Sequence, residues 1–165
     1  MKPSDHPEFF RLPPPEGRSR ESTIVLDGEG AFWHEGARVT HPGMARAFAS
    51  WVGRHPDDGR FILNNGYDWT YFHVEDTPFF VERIFEDPRE VELSDGTREP
   101  FEPERLGVGR AGALYLPVKA GKFRARFRRE AQLSLVDRLE EGAGGTIFLK
   151  LGDLRWELPR ASPEA

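Results

Sequence analysis

Two stretches of this chain repeat one pattern, and that repetition limits the folds open to it more than any other feature. Gly30-Ala31-Phe32-Trp33 is echoed by Gly112-Ala113-Leu114-Tyr115. Phe61-Ile62-Leu63, followed by Gly66, is echoed by Ile147-Phe148-Leu149, followed by Gly152. A helical pattern lies between the anchors in both copies. The spacing differs by only a few residues, which one loop absorbs. One amphipathic helix cannot bury its apolar stripe alone, whereas two flanking hairpins can curve around it and cover it. The expected fold class is therefore α+β, as two tandem repeats, each a helix cradled by a curved antiparallel β-sheet.

Local chemistry sets the expected elements. Thr23–Leu26 and Ala31-Phe32-Trp33 read as strands around the turn residues Asp27-Gly28-Glu29-Gly30. His41-Pro42 opens a helix, since proline suits the first turn. Met44, Phe48, Trp51 and Val52 share one helical face, and Pro56 with Asp57-Asp58-Gly59 stops it. Arg60–Leu63, Asn64-Asn65-Gly66 and Tyr67–Val74 read as strand, turn and strand. Strand resumes at Phe79–Phe85 after Thr77-Pro78, and a short hairpin covers Val91–Phe101. Pro103–Gly112 reads as loop. In the second copy, Lys122–Phe127 is strand and Arg128–Glu141 is helix, with Ala131, Leu135 and Leu139 on one face. A last hairpin covers Thr146–Leu158. The organisation expected is an extended arm over 1–20, anchored at most by Phe9, Phe10 and Leu12, then repeats over 21–88 and 89–159, then a tail over 160–165.

Composition removes several function classes. The 165 residues include no cysteine, so disulfides, thiolate nucleophiles and cysteine-held metals are excluded. A net charge of −5 argues against nucleic acid as the main partner. No stretch approaches the roughly 18 apolar residues of a membrane span. The first residues lack the apolar core of a secretory signal, so a cytoplasmic location is the expectation. There is no G-x-S-x-G elbow and no phosphate loop, and Gly28-x-Gly30 is too short for a dinucleotide turn.

Several segments together resemble a bacterial family known as domain of unknown function 1285. The features are Asp27-Gly28 followed by Phe32-Trp33-His34, Gly36 ahead of the Phe48 helix, and above all Val74-Glu75-Asp76-Thr77-Pro78-Phe79. Tyr115–Val118, Gly121 and Phe123–Phe127 are similar to the family's second half. The resemblance spans about residues 22–140. It implies two repeats, each a helix in a strongly curved sheet. It implies no established activity, with ligand sensing or signal transduction as the suggested role. Two features depart from the family pattern. Asn64-Asn65-Gly66-Tyr67 stands where a Thr-Pro-x-Glu-like stretch is usual, and His41 stands where an arginine is usual.

Candidate ligand-binding residues are Trp33, His34, Trp69, His73, Glu75, Asp76, Arg124 and Arg126. Glu75 and Asp76 are adjacent on a strand and point to opposite faces, so they cannot work as a simple acid/base pair. One of them can accept a hydrogen bond from a ligand; Asp76 can equally cap the Thr77-Pro78 turn. His34 and His73 would approach if the hairpins of the first repeat paired, yet no H-x-H or H-x-x-x-H spacing exists, and surface histidines are the better reading. Lys122, Arg124 and Arg126 alternate with Phe123, Ala125 and Phe127, which puts the cations on one strand face. That face can hold an anion, meet an acidic partner or protect an edge strand. The aromatic residues Trp33, Trp69, Tyr71, Phe72, Tyr115 and Trp156 read as core more than pocket.

The leading functional expectation is a non-enzymatic ligand-sensing or adaptor protein, possessing a groove between the repeats, with no cofactor and no metal. One alternative is a small enzyme using Glu75 or Asp76 with a histidine. Another is a protein-binding module using the basic strand 122–126. The partners expected are a small molecule or a protein, a homodimer included, and neither nucleic acid nor membrane.

Overall fold

The computed structural model describes residues 1–159, so the tail expected at 160–165 lies outside the described residues. The chain divides into two units, one running Met1–Pro78 and the other beginning at Phe79. The expected boundary fell ten residues later, and the strand Phe79–Glu86 runs in the sheet of the second unit.

The first unit holds β1 (Val25–Leu26), β2 (Phe32–His34), β3 (Ala37–Arg38), α1 (Pro42–Trp51), β4 (Val52–Arg54), β5 (Phe61–Asn64), β6 (Trp69–Tyr71) and β7 (His73–Val74). Its sheets run β3-β2-β1-β7 and β4-β5-β6. His41 caps α1, its Nδ1 accepting the Met44 N–H at 3.2 Å, and Pro42 occupies the first turn. This supplies one of the orphan donors of the helix start with a partner. The helix then ends at Trp51, and Val52–Arg54 pairs with β5 instead of extending the helix toward Pro56. Ladder bonds to β5 outweigh local helical preference there. The buried face of α1 centres on Ala49 and half-buried Phe48, and Met44 is exposed. Phe48 meets Phe32 edge to face at 5.4 Å, and Phe32 lies 6.4 Å from Phe72.

The expected extended arm contains two 3₁₀ turns, Pro3–Asp5 and Pro7–Arg11. Phe9 is buried with Ile62 and Trp69, Phe10 and Tyr71 pack on the same cluster, and Leu12 is exposed.

The second unit holds β8 (Phe79–Glu86), β9 (Arg89–Leu93), β10 (Arg98–Pro100), β11 (Gly107–Val108), β12 (Leu114–Val118), β13 (Phe123–Phe127), α2 (Arg129–Val136), β14 (Leu139–Glu141), β15 (Ile147–Leu151) and β16 (Leu154–Leu158). Six strands run β10-β9-β8-β13-β12-β11, and three run β14-β15-β16. The segment expected as loop over 103–112 includes β11 and two 3₁₀ turns. The helix expected to reach Glu141 stops at Val136. Leu139 to Glu141 pair with Leu149 to Ile147, so ladder bonds take over the last turn of the helical pattern. Ala131 and Leu135 are the buried positions of α2, and Leu139 is half-buried from the strand. The core here is apolar and strand-based: Val81, Val91, Leu93, Leu114, Leu116, Val118, Ala125 and Phe127 are all at most 3% exposed.

The fold is α+β with mixed sheets. The ladders β1–β7 and β8–β13 are parallel, which corrects the expectation of antiparallel sheets throughout. A parallel pair needs a long crossover, and the connections through α1 and β4–β6, and through β9–β12, supply it. The order strand, strand, strand, helix, strand, strand, strand occurs as β1–β3, α1, β4–β6 and again as β11–β13, α2, β14–β16. The anchors Phe32-Trp33 and Leu114-Tyr115 lie in β2 and β12, and Phe61–Leu63 and Ile147–Leu149 lie in β5 and β15.

Candidate functional site

In the first unit, Trp33 and His34 follow one another on β2 and face opposite ways. The Trp33 indole Nε1 donates to Asp27 Oδ2 at 2.8 Å. The other oxygen of Asp27 accepts the N–H groups of Glu29 and Ala31, each at 2.9 Å. Burial works against the Asp27 charge, but the indole and the backbone N–H groups outweigh it and hold the carboxyl below the usual range. Asp27 is thus the centre of the β1–β2 turn. His73 stands beside Val25, and Val25 lies opposite Trp33, so His73 shares the Trp33 face and exposed His34 takes the other. With β1 between them as well, the two imidazoles do not converge. Among the described residues no group of three His, Asp or Glu side chains is placed to hold a metal.

Glu75 is exposed and ties β7 to the same turn, its Oε2 accepting the Gly28 N–H at 3.3 Å. Asp76 is half-buried ahead of Thr77, which is fully buried. Trp69 lies in a separate aromatic box under the N-terminal arm. Its ring centre is 4.8 Å from His55 and 5.0 Å from Tyr71, with the Arg20 guanidinium 4.4 Å over its face. The structure therefore groups Trp33 with the Glu75 turn through Asp27 and Gly28, and sets Trp69 apart.

In the second unit, Arg124 and Arg126 are half-buried on β13, with the Arg124 guanidinium 4.0 Å over the Tyr115 ring. β13 sits between β8 and β12, so its cations do not guard a sheet edge.

A cavity of about 480 Å³ opens elsewhere in this unit, between the β8–β9 end, α2 and the β15–β16 turn. Ile84, Phe101, Leu135 and Leu151 give it apolar walls, and Glu86, Arg89 and Arg138 bring charge to it. Arg138 Nη1 donates to the Ser134 carbonyl at 2.7 Å, and its Nη2 pairs with Glu86. Arg89 Nε donates to the Phe101 carbonyl at 3.1 Å, with its guanidinium 5.5 Å from the Trp156 ring. Both guanidiniums are thereby oriented by main-chain carbonyls. Among the described residues the terminal nitrogens of Arg89 meet no protein acceptor. The Ser134 hydroxyl donates to the Ala131 carbonyl at 2.6 Å, so it serves the helix backbone and faces no base. A larger cavity, about 650 Å³, is lined mainly by the turns Gly109–Gly112 and Gly144–Thr146, with Arg110 and Glu157 as its charged side chains.

No family model matches the chain, and no curated protein matches it. Solved structures do. A DUF1285 family protein from Silicibacter pomeroyi DSS-3 superposes with a TM-score of 0.60 at 20% identity, over 94% of this chain and 88% of that one. A DUF1285 family protein from Shewanella baltica OS155 gives a TM-score of 0.53 at 20% identity, over 72% of this chain and 94% of that one. The fold is that of the DUF1285 proteins. At such identity the likeness carries fold and no activity.

Within the DUF1285 fold, the cavity residues Arg89, Phe101, Leu135 and Arg138 escaped sequence reasoning. Arg89 is one of several arginines on the β8–β10 strands, with Arg83 and Arg98, and Arg138 lies beyond the end of α2. The one available signal was the buried stripe of α2, which places Leu135 inward and so carries Arg138, three residues on, to the rim of the same side.

Proposed function

We propose that the chain is a non-enzymatic ligand-binding protein whose second unit takes a small carboxylic acid with an apolar tail. The observation that carries this reading is the 480 Å³ cavity, with apolar walls and two guanidiniums against one carboxylate. That volume is in the range of small-molecule sites, and the lining divides about evenly between apolar and polar surface. A guanidinium offers paired N–H donors that match a carboxylate in plane. Arg89 has donors to spare. Arg138 holds Glu86, a surface pair of the kind worth little, so an incoming carboxylate can replace it. The tail would lie on half-buried Ile84 and Leu151, which cover the buried Phe101 and Leu135. No hydroxyl in this cavity is set against a base, which supports binding over catalysis. A sensing or adaptor role follows if occupancy shifts α2, which contributes Ser134 and Leu135 to the wall.

The test is a thermal-shift series with straight-chain and aromatic carboxylic acids, each beside its primary amide. A ligand at about 100 times its Kd adds roughly 2.7 kcal/mol, which raises the melting temperature by several degrees for a chain of this size. The reading expects shifts from acids, none from amides, and loss of the shift in the Arg89→Gln, Arg138→Gln variant. Equal shifts from acids and amides, or no shift from any acid, would remove it.

A further inference from the structure

The N-terminal arm is seated on the first unit through three separable contacts. The first is apolar: Phe9 is buried against Ile62 and Trp69, and Phe10 meets Phe9 edge to face at 5.0 Å. The second is a main-chain bond. His55, only 6% exposed, has its Nδ1 accepting the Asp57 N–H at 3.1 Å. That leaves Nε2 as the protonated nitrogen, and it donates to the Phe10 carbonyl at 3.0 Å. The third is a fork, in which Arg11 Nη2 and Nε reach the two oxygens of Asp57 at 2.8 and 3.2 Å. Phe9, Phe10 and Arg11 are thus each read by a different group, as a short peptide is read by a receptor.

The joint behind the arm is of another kind. Leu12 and Pro13 are exposed, and the joint is pinned mainly by Arg20 Nη2, which donates to the Leu12 and Pro13 carbonyls at 3.2 Å each. Pro13-Pro14-Pro15 is a stiff extended run. The chain then reverses in a turn, Arg18 N–H donating to the Pro15 carbonyl at 3.0 Å with Gly17 at φ +76°. Among the described residues, two buried donors at this seat, Trp69 Nε1 and Arg20 Nε, have no acceptor. Such groups nearly always find partners.

We propose that this seat reads a Phe-Phe-Arg segment whichever chain supplies it, and that the partner is a second copy of this chain, the two copies trading arms about the proline joint. Exchange reuses the contacts of Phe9, Phe10 and Arg11 made within one chain, so its main cost is the loss of freedom on association and the opening of the 15–18 turn. An arm arriving from a second copy is not tethered through the 15–18 turn. It can therefore settle so as to offer a carbonyl to the orphaned indole.

The experiment keeps the full chain. Phe9→Asp with Phe10→Asp disables its own arm, and circular dichroism establishes that it is folded; Phe10→Ala replaces it if it is not. A synthetic peptide of residues 1–14 is then titrated into it, read by tryptophan fluorescence. Saturable binding is expected, weakened about threefold by Asp57→Ala, as suits a solvent-exposed ion pair. Binding to the unaltered chain, whose own arm competes, should be at least tenfold weaker. Sedimentation of the unaltered chain toward millimolar concentration should reveal a dimer that the arm-disabled chain does not form. No peptide binding to the folded variant, or a dimer that persists without the aromatic arm, would overturn the proposal.

Discussion

Replacing Asp27 tests how far one side chain organises the first unit. Asp27 accepts two backbone N–H bonds and the Trp33 indole N–H. In Asp27→Asn the remaining carbonyl oxygen can keep the two backbone bonds, but the amide NH₂ then faces the indole N–H, donor against donor. A net hydrogen bond to a charged group is worth roughly 1.5–3 kcal/mol, and the half-buried setting puts this one near the lower end. The expected cost of Asp27→Asn is therefore about 1–2 kcal/mol. Trp33→Phe removes the same bond from the other side while leaving the carboxylate able to reach water, at about 1 kcal/mol. Because both changes break one shared bond, the double variant should fall short of the sum by about 1 kcal/mol, well outside the roughly 0.3–0.5 kcal/mol scatter of independent sites. Urea unfolding should be followed by circular dichroism, with Trp51 and Trp69 reporting on the first unit and Trp156 on the second, because two units need not unfold as one. Costs that simply add would show that the indole bond contributes nothing, and that the Asp27 turn stands on backbone bonds alone.

Other outcomes follow from the same structure. Asp27 and Asp95 both hold their carboxyls below the usual range. For Asp95 burial opposes the shift, and Lys119, with Nζ at 2.6 Å, and Thr97 outweigh it. Their stabilisation is complete above the ordinary aspartate pKa of about 3.9 and is lost as pH falls through the depressed folded values, so the urea midpoint should decline below about pH 4, less steeply in Asp27→Asn. Leu135→Ala, at a position 1% exposed, should cost about 2–5 kcal/mol in the second unit. Gly109→Ala would put a methyl 2.6 Å from the Tyr115 ring at a backbone φ of −93°, which any residue tolerates. The clash should cost about 1–3 kcal/mol, and Tyr115→Ala should abolish that penalty, as denaturation of the double variant would show.

The residues that announced the fold were those whose local and tertiary demands agree. Phe32-Trp33 and Leu114-Tyr115 alternate as strands and are strands. Proline and a capping histidine start α1 where expected. Failures came where the ladder overrode local pattern: Val52 and Leu139 continue a helical stripe in sequence, yet each joins a strand because a neighbouring strand needs a partner. The parallel ladders were invisible because pairing between distant strands leaves no local mark. The Asp27 position has a related story. Gly109 and Gly142 precede Tyr115 and Phe148 by the same interval that separates Asp27 from Trp33, and in those turns the ring lies where a side chain would stand. Of the candidate site, sequence singled out aromatic and charged residues that the structure uses to build turns and the arm seat. The cavity depends on Arg89, Phe101, Leu135 and Arg138, which only the fold brings together.

The most direct test of the ligand-binding account is a crystal structure of the chain grown with the acid that most raises its melting temperature. The account predicts that acid between β8, β9 and α2, its carboxylate within hydrogen-bond distance of Arg89 and Arg138 and its tail against Ile84 and Leu151. The acid bound at any other place, with Arg138 still holding Glu86, would contradict it.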